Sequence, residues 1–176
     1  STIAVNVTPV NDAPSNTTPA DGTVDVYQGL PTAILGLSVE DVDAGAGNIT
    51  VTLSNASGST FSATASGGAA VSGTTTFTIV GTLADVNATL ATVMYTAQSN
   101  TGTETITMLT NDGGNTGSGG SLTDSDLFTV VCNPAAVTVV ITDDEPKAVS
   151  NFDDGTTIFT FTFNGDVSTS FAIGDI

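Results

Sequence analysis

The chain has 176 residues, with 18 acidic side chains, one basic one (Lys147) and a formal net charge of −17. That balance leaves nothing to neutralise phosphates, so nucleic acid and anionic lipid are excluded as partners, while cations are attracted. With no histidine and Cys132 as the only cysteine, Ser-His-Asp and Cys-His catalysis, histidine-held zinc and internal disulfides are excluded too.

Thr, Ser, Gly, Asn, Val and Ala supply most of the remaining sequence. Thr and Val favour strands, Gly and Asn favour turns, and the composition predicts an all-β protein. No signal peptide, membrane-spanning run or lipidation motif is visible, so direct membrane insertion is not expected. Thr2 to Val10 alternates, with Ile3, Val5 and Val7 on one face, and predicts a strand. It stops at Pro9-Val10-Asn11-Asp12-Ala13-Pro14, where two prolines stiffen the chain into a short linker. Residues 1–14 therefore read as the last strand of a preceding module plus its linker.

Residues 15–134 read as one domain. Strands are predicted at Val24–Tyr27, Ala33–Val39, Ile49–Leu53, Thr60–Thr64, Thr75–Val80, Met94–Ala97, Thr103–Asn111 and Asp126–Cys132. Leu83, Val86, Leu90 and Val93 break the alternation and predict a short amphipathic helix over Leu83–Val93. Cys132 falls within an apolar run, where a small buried hydrophobe is expected. Counting strand reversals brings the Asn11-Asp12 linker, the Glu40–Asn48 loop and the Asn111–Asp124 loop to one end of the domain. Residues 135–176 begin a further module. Val137, Val139 and Ile141 run into Asp143-Asp144-Glu145, and Phe159, Phe161 and Phe163 alternate with threonines. So few strands cannot close a sandwich, and this module reads as incomplete.

Pro9–Pro14, Glu40-Asp41-Val42-Asp43-Ala44-Gly45, Gly81–Leu90, Asn111–Gly120 and Leu122-Thr123-Asp124-Ser125-Asp126 together resemble a cadherin-like tandem repeat of giant bacterial surface adhesins, over about Val5 to Val131. Cys132-Asn133-Pro134-Ala135-Ala136 departs from the family's Val-Asn-Asp-Ala-Pro linker. The tail, with Phe159–Val167 and Gly174-Asp175-Ile176, is similar to the first part of a bacterial immunoglobulin-like module. The resemblance implies immunoglobulin/cadherin-like β-sandwich modules in series, extracellular or on the cell surface, with Ca2+ stiffening the joints.

Ca2+ takes six to eight oxygen ligands, which clustered Asp, Asn and backbone carbonyls in loops supply. The candidates are Asn11, Asp12, Glu40, Asp41, Asp43, Asp112, Asp124 and Asp126, with Asp143 and Asp144 as a second site. Any one of these carboxylates, taken alone, reads equally as a turn residue or a cap. A two-carboxylate glycosidase is disfavoured because sugar sites stack aromatics, and the chain has no Trp and two Tyr. Two further readings stay open. The Gly113–Gly120 loop offers a surface for surface glycans. Alternatively, Thr2–Val10 completes the unfinished module of an identical subunit, end to end, by donor-strand complementation. The expected role is mechanical: a non-catalytic stiff spacer whose partners are neighbouring modules.

Overall fold

Strands form where a branched or aromatic residue alternates with a small polar one, because each pleat then has one face to bury. The computed structural model describes residues 2–98, 101–135, 139–143 and 159–163, and their contacts fall into two units, Ser1–Pro134 and Ala135–Ile176. In chain order the first unit holds β1 (Ser15–Thr17), β2 (Thr23–Tyr27), β3 (Thr32–Ala33), β4 (Ser38–Glu40), β5 (Asn48–Ser54), β6 (Thr60–Ser62), β7 (Ala70–Ser72), β8 (Thr76–Thr82), α1 (Leu83–Leu90), β9 (Met94–Thr96), β10 (Gly102–Asn111) and β11 (Thr123–Asn133). Its large sheet runs β2-β11-β10-β5-β8-β7, antiparallel throughout except for the parallel β2–β11 pair. A smaller sheet runs β3-β9-β6, and β1 pairs with β4.

The inward pleats of the large sheet carry Ile49, Val51, Leu53, Phe77, Ile79, Ile106, Met108, Phe128 and Val130, all buried. Phe61 and Tyr95 come down from the smaller sheet to meet them. The Phe61 ring centroid lies 6.4 Å from Phe77 and 5.0 Å from Tyr95. Val86 and Leu90 of α1 join the same core. The unit is thus an all-β sandwich with one short helix, as its composition predicts. Cys132 is a free thiol buried in the core face.

Several boundaries differ from expectation. Ala33–Val39 is not one strand: Gly36, at φ +85°, turns the chain between β3 and β4, which pair with different partners. The helix stops at Leu90, and Val93 is buried from the turn beyond it. β1 and β7 carry no clear alternation and were not expected. Residues 2–9 alternate in sequence yet hold no strand; Val10 alone bridges, to Ser118. In the second unit, β12 (Val139–Asp143) and β13 (Phe159–Phe163) pair antiparallel.

Two contacts fix the position of the acidic turn after β4. Thr82 caps α1, its Oγ1 accepting from the Asp85 amide at 3.3 Å. Asn87, one turn on, then acts as a substitute strand: the Val39 amide donates to its Oδ1 at 2.8 Å, and its Nδ2 donates to the Val39 carbonyl at 2.9 Å. The helix thereby holds β4 at Val39, immediately before Glu40 and Asp41.

Candidate functional site

Three segments remote in sequence meet at one end of the sandwich. The Asn11 side chain donates from Nδ2 to Asp112 Oδ2 at 2.5 Å, the Asp12 amide donates to Asp43 Oδ2 at 3.0 Å, and the Thr116 hydroxyl donates to the Asp43 carbonyl. Asn115 Nδ2 adds bonds to the carbonyls of Asn48 at 2.9 Å and Asp112 at 2.7 Å. The linker, the Glu40–Asn48 loop and the Asn111–Asp124 loop therefore share one network, as strand counting places them.

Within it the carboxylates divide into two kinds. Asp112 is buried and fully engaged. Its Oδ1 accepts from the amides of Leu122 at 2.7 Å and Gly114 at 2.9 Å, while Oδ2 takes Asn11. Burial alone would push its pKa up, but the Leu122 amide, the Asn11 side chain and the Gly114 amide outweigh that and hold it below the ordinary carboxylate value. Asp124 is likewise engaged, Oδ2 accepting from the Asn16 amide at 2.7 Å and Oδ1 from the Ser125 amide at 2.9 Å. These two acids tie loops together through neutral donors.

Asp41 and Asp43 are different. Asp41 Oδ1 accepts from the Asp43 amide at 3.0 Å, and Asp43 Oδ2 accepts from the Asp12 amide. The remaining oxygens, Asp41 Oδ2 and Asp43 Oδ1, are buried and find no donor among the described residues. Burial, with the Asp43 carboxylate beside it, raises the pKa of Asp41. Two adjacent carboxylates with buried, unbonded oxygens are costly without a positive charge. The only basic residue, Lys147, lies outside the described residues.

The exposed Glu40 precedes this pair in the chain, and the exposed Asp12 is bonded to it through its amide. Asp126 sits two residues beyond Asp124 on β11, half-buried and opposite Met108. Asp143 ends β12, its side chain outside the description, and Asp144 falls outside the described residues altogether. Among the described residues, no three or more Asp, Glu, Cys or His side chains gather as a metal-holding group. The described candidates of the first site thus do not gather into one such group; the donor set at Asp41 and Asp43 is a carboxylate pair. Asn16, Asn115, Thr116 and Ser118 also build the network. Only their place beside the acidic turns marked them, because neutral donors carry no charge pattern. No protein-family model and no curated protein matches this chain.

The fit of Ca2+ rests on chemistry at the pair. It is a hard cation that takes oxygen ligands alone, in flexible geometry, and accepts carboxylates and carbonyls together. The unbonded oxygens of Asp41 and Asp43 are of that kind. Asp12 reaches the pair through its backbone amide, and Glu40 stands next to it in the chain.

Proposed function

We propose that this chain is a non-catalytic structural segment of an extracellular or cell-surface adhesin or fibre, built from cadherin-like modules, and that Ca2+ braces the joint at its leading end. One observation carries the reading: the buried, donor-less oxygens of Asp41 and Asp43 lie where the linker meets two loops of the sandwich. Asp41 and Asp43 would hold the ion through the two oxygens that find no donor among the described residues. The ion would supply the positive charge that the described residues lack there. The Asp12 amide, already on Asp43, then couples the ion to the linker, so that binding stiffens the direction in which the preceding residues leave.

Extracellular calcium modules hold the ion with a Kd of roughly 10⁻⁴ to 10⁻³ M. At calcium about a hundredfold above Kd, each site adds about 2.7 kcal/mol, a large share of the roughly 5–15 kcal/mol that holds a domain folded. The test is a thermal melt of the whole chain in millimolar calcium and in excess chelator, repeated with Asp43→Asn. The wild type is expected to lose several degrees in chelator and the variant to show little difference between the two solutions. Equal wild-type melting temperatures in both would remove calcium from the reading.

A second reading, a subunit polymerising end to end by strand donation, is favoured by one feature. Ile3, Val5 and Val7 are 86%, 79% and 80% exposed, on a stretch that makes no strand pairing. Such a strip suits addition to an open sheet edge of a second copy. Sedimentation of Val5→Asp/Val7→Asp against wild type decides it: assemblies that survive the double change exclude donation by this segment.

A further inference from the structure

We propose that the Asn111–Leu122 loop is a metal-independent latch on the chain leading into the sandwich. It fixes the path of residues 9–11 whether or not a cation occupies the Asp41–Asp43 pair. The claim goes beyond the calcium reading, since every bond in the latch is donated by a backbone or side-chain amide.

The loop is first closed on itself. Asp112 Oδ1 gathers the amides of Gly114 and Leu122, and the Asp112 amide donates to the Leu122 carbonyl at 3.1 Å, so the loop's two ends are tied at its base. Asn115 fastens it to the Asn48 carbonyl. The far side of the loop then grips the leading segment. The Asn11 amide donates to the Ser118 carbonyl at 3.0 Å, and the Ser118 amide returns a bond to the Pro9 carbonyl at 2.9 Å. These two bonds make the parallel bridge between Val10 and Ser118. Asn11 Nδ2 reaches past them to the Gly120 carbonyl at 2.9 Å and to Asp112 Oδ2. Asn11 is buried among these partners, although the residues on either side of it are exposed.

Gly117 sets how closely the two strands of this grip approach. It sits at φ +82°, and a Cβ there would stand 2.5 Å from both the Asn11 nitrogen and the Val10 carbonyl carbon. Backbone lies on the far side of that contact, so nothing flexible can yield. A side chain at 117 therefore has to push the leading segment off the loop or abandon the left-handed turn.

The joint thus has two halves. The Asp41–Asp43 half depends on the charge placed between its carboxylates, and the Asn11–Ser118 half does not. Hydrogen exchange on the whole chain, in millimolar calcium and in chelator, separates them. The Asn11 and Ser118 amides are expected to exchange slowly in both solutions. Gly117→Ala is expected to speed them on the order of tenfold or more in both, while core amides such as those of Val51 and Ile106 keep their protection. If chelator alone frees the Asn11 and Ser118 amides in the wild type, the latch is not metal-independent and the inference is overturned, a comparison that stands even should the variant fail to fold. A folded Gly117→Ala that leaves both amides slow overturns it as well. The calcium reading has its own readout, the wild-type melting temperature, and can fail while the latch stands.

Discussion

At Asp41 burial works against charge: the carboxylate gains one amide bond from Asp43, leaves an oxygen unbonded, and has its pKa raised. A raised carboxylate penalises the folded state while it is ionised. The penalty is fully present above the folded pKa and is relieved as pH falls through it towards the unfolded value. Removing the charge should therefore change sign with the solution. Asp41→Asn is expected to leave the melting temperature unchanged or higher in chelator, and to lower it in calcium, where a ligand is lost. A variant that lowers it equally in both solutions would show that Asp41 acts only through its turn. Asp112 has the opposite sign. Its pKa is depressed in the fold, so it contributes stability above the unfolded pKa that is lost as pH falls through the folded one. Asp112→Asn sets a buried NH2 group against the amides of Leu122 and Gly114 or the Asn11 side chain. It is expected to cost about 1–3 kcal/mol at neutral pH, in calcium and chelator alike, and denaturant melts at pH 7 and pH 3 should show the difference between variant and wild type narrowing in acid.

Elements with strict alternation were legible because burial on one face leaves a period-two trace: β5, β8 and β10 follow it closely. The helix was legible from Leu83, Val86 and Leu90, but its end was not. Val93 continues the spacing and is buried, yet it reaches the core from a turn rather than from the helix. β1 (Ser-Asn-Thr) has no apolar residue and β7 (Ala-Val-Ser) no large one beyond Val71, unlike the equally short β6 and β9, which carry Phe61 and Tyr95. The split of Ala33–Val39 had a signal in Gly36, whose positive φ outweighs the strand propensity around it. The start of α1 matters beyond the helix, since Asn87, one turn on, holds Val39. Thr82→Ala removes the hydroxyl that accepts from the Asp85 amide and is expected to cost about 1 kcal/mol. Because α1 positions β4, exchange at the Val39 amide should quicken more than at Ile106 in the same variant. Uniform quickening would mean that the cap supports the whole sandwich and not this corner.

Across the whole molecule, the gathering of acidic turns at one end followed from strand counting, even though one counted strand proved to be two. Which acids would be spent on amides did not follow. Asp112, the lone acid of a Gly-rich loop, and Asp41, between Glu40 and Asp43, are both calcium candidates by sequence, and only the register of the loops gives one three donors and leaves the other short. The same ambiguity exists at the scale of net charge, because −17 on one chain destabilises a compact state by self-repulsion with no specific site at all. Calcium and plain salt are therefore both expected to raise stability, and concentration separates them. Screening becomes strong when the Debye length shrinks to about 10 Å near 0.1 M salt, whereas at millimolar ionic strength it exceeds about 30 Å and does little. In chelator, sodium chloride from about 10 mM to 0.5 M is expected to raise the melting temperature gradually. Calcium at a few millimolar is expected to give a saturable rise on top, at fixed ionic strength. Asp43→Asn should keep the gradual rise and lose the saturable one. If the variant and the wild type respond identically to both titrations, the acidic end is a diffuse charge and not a binding site.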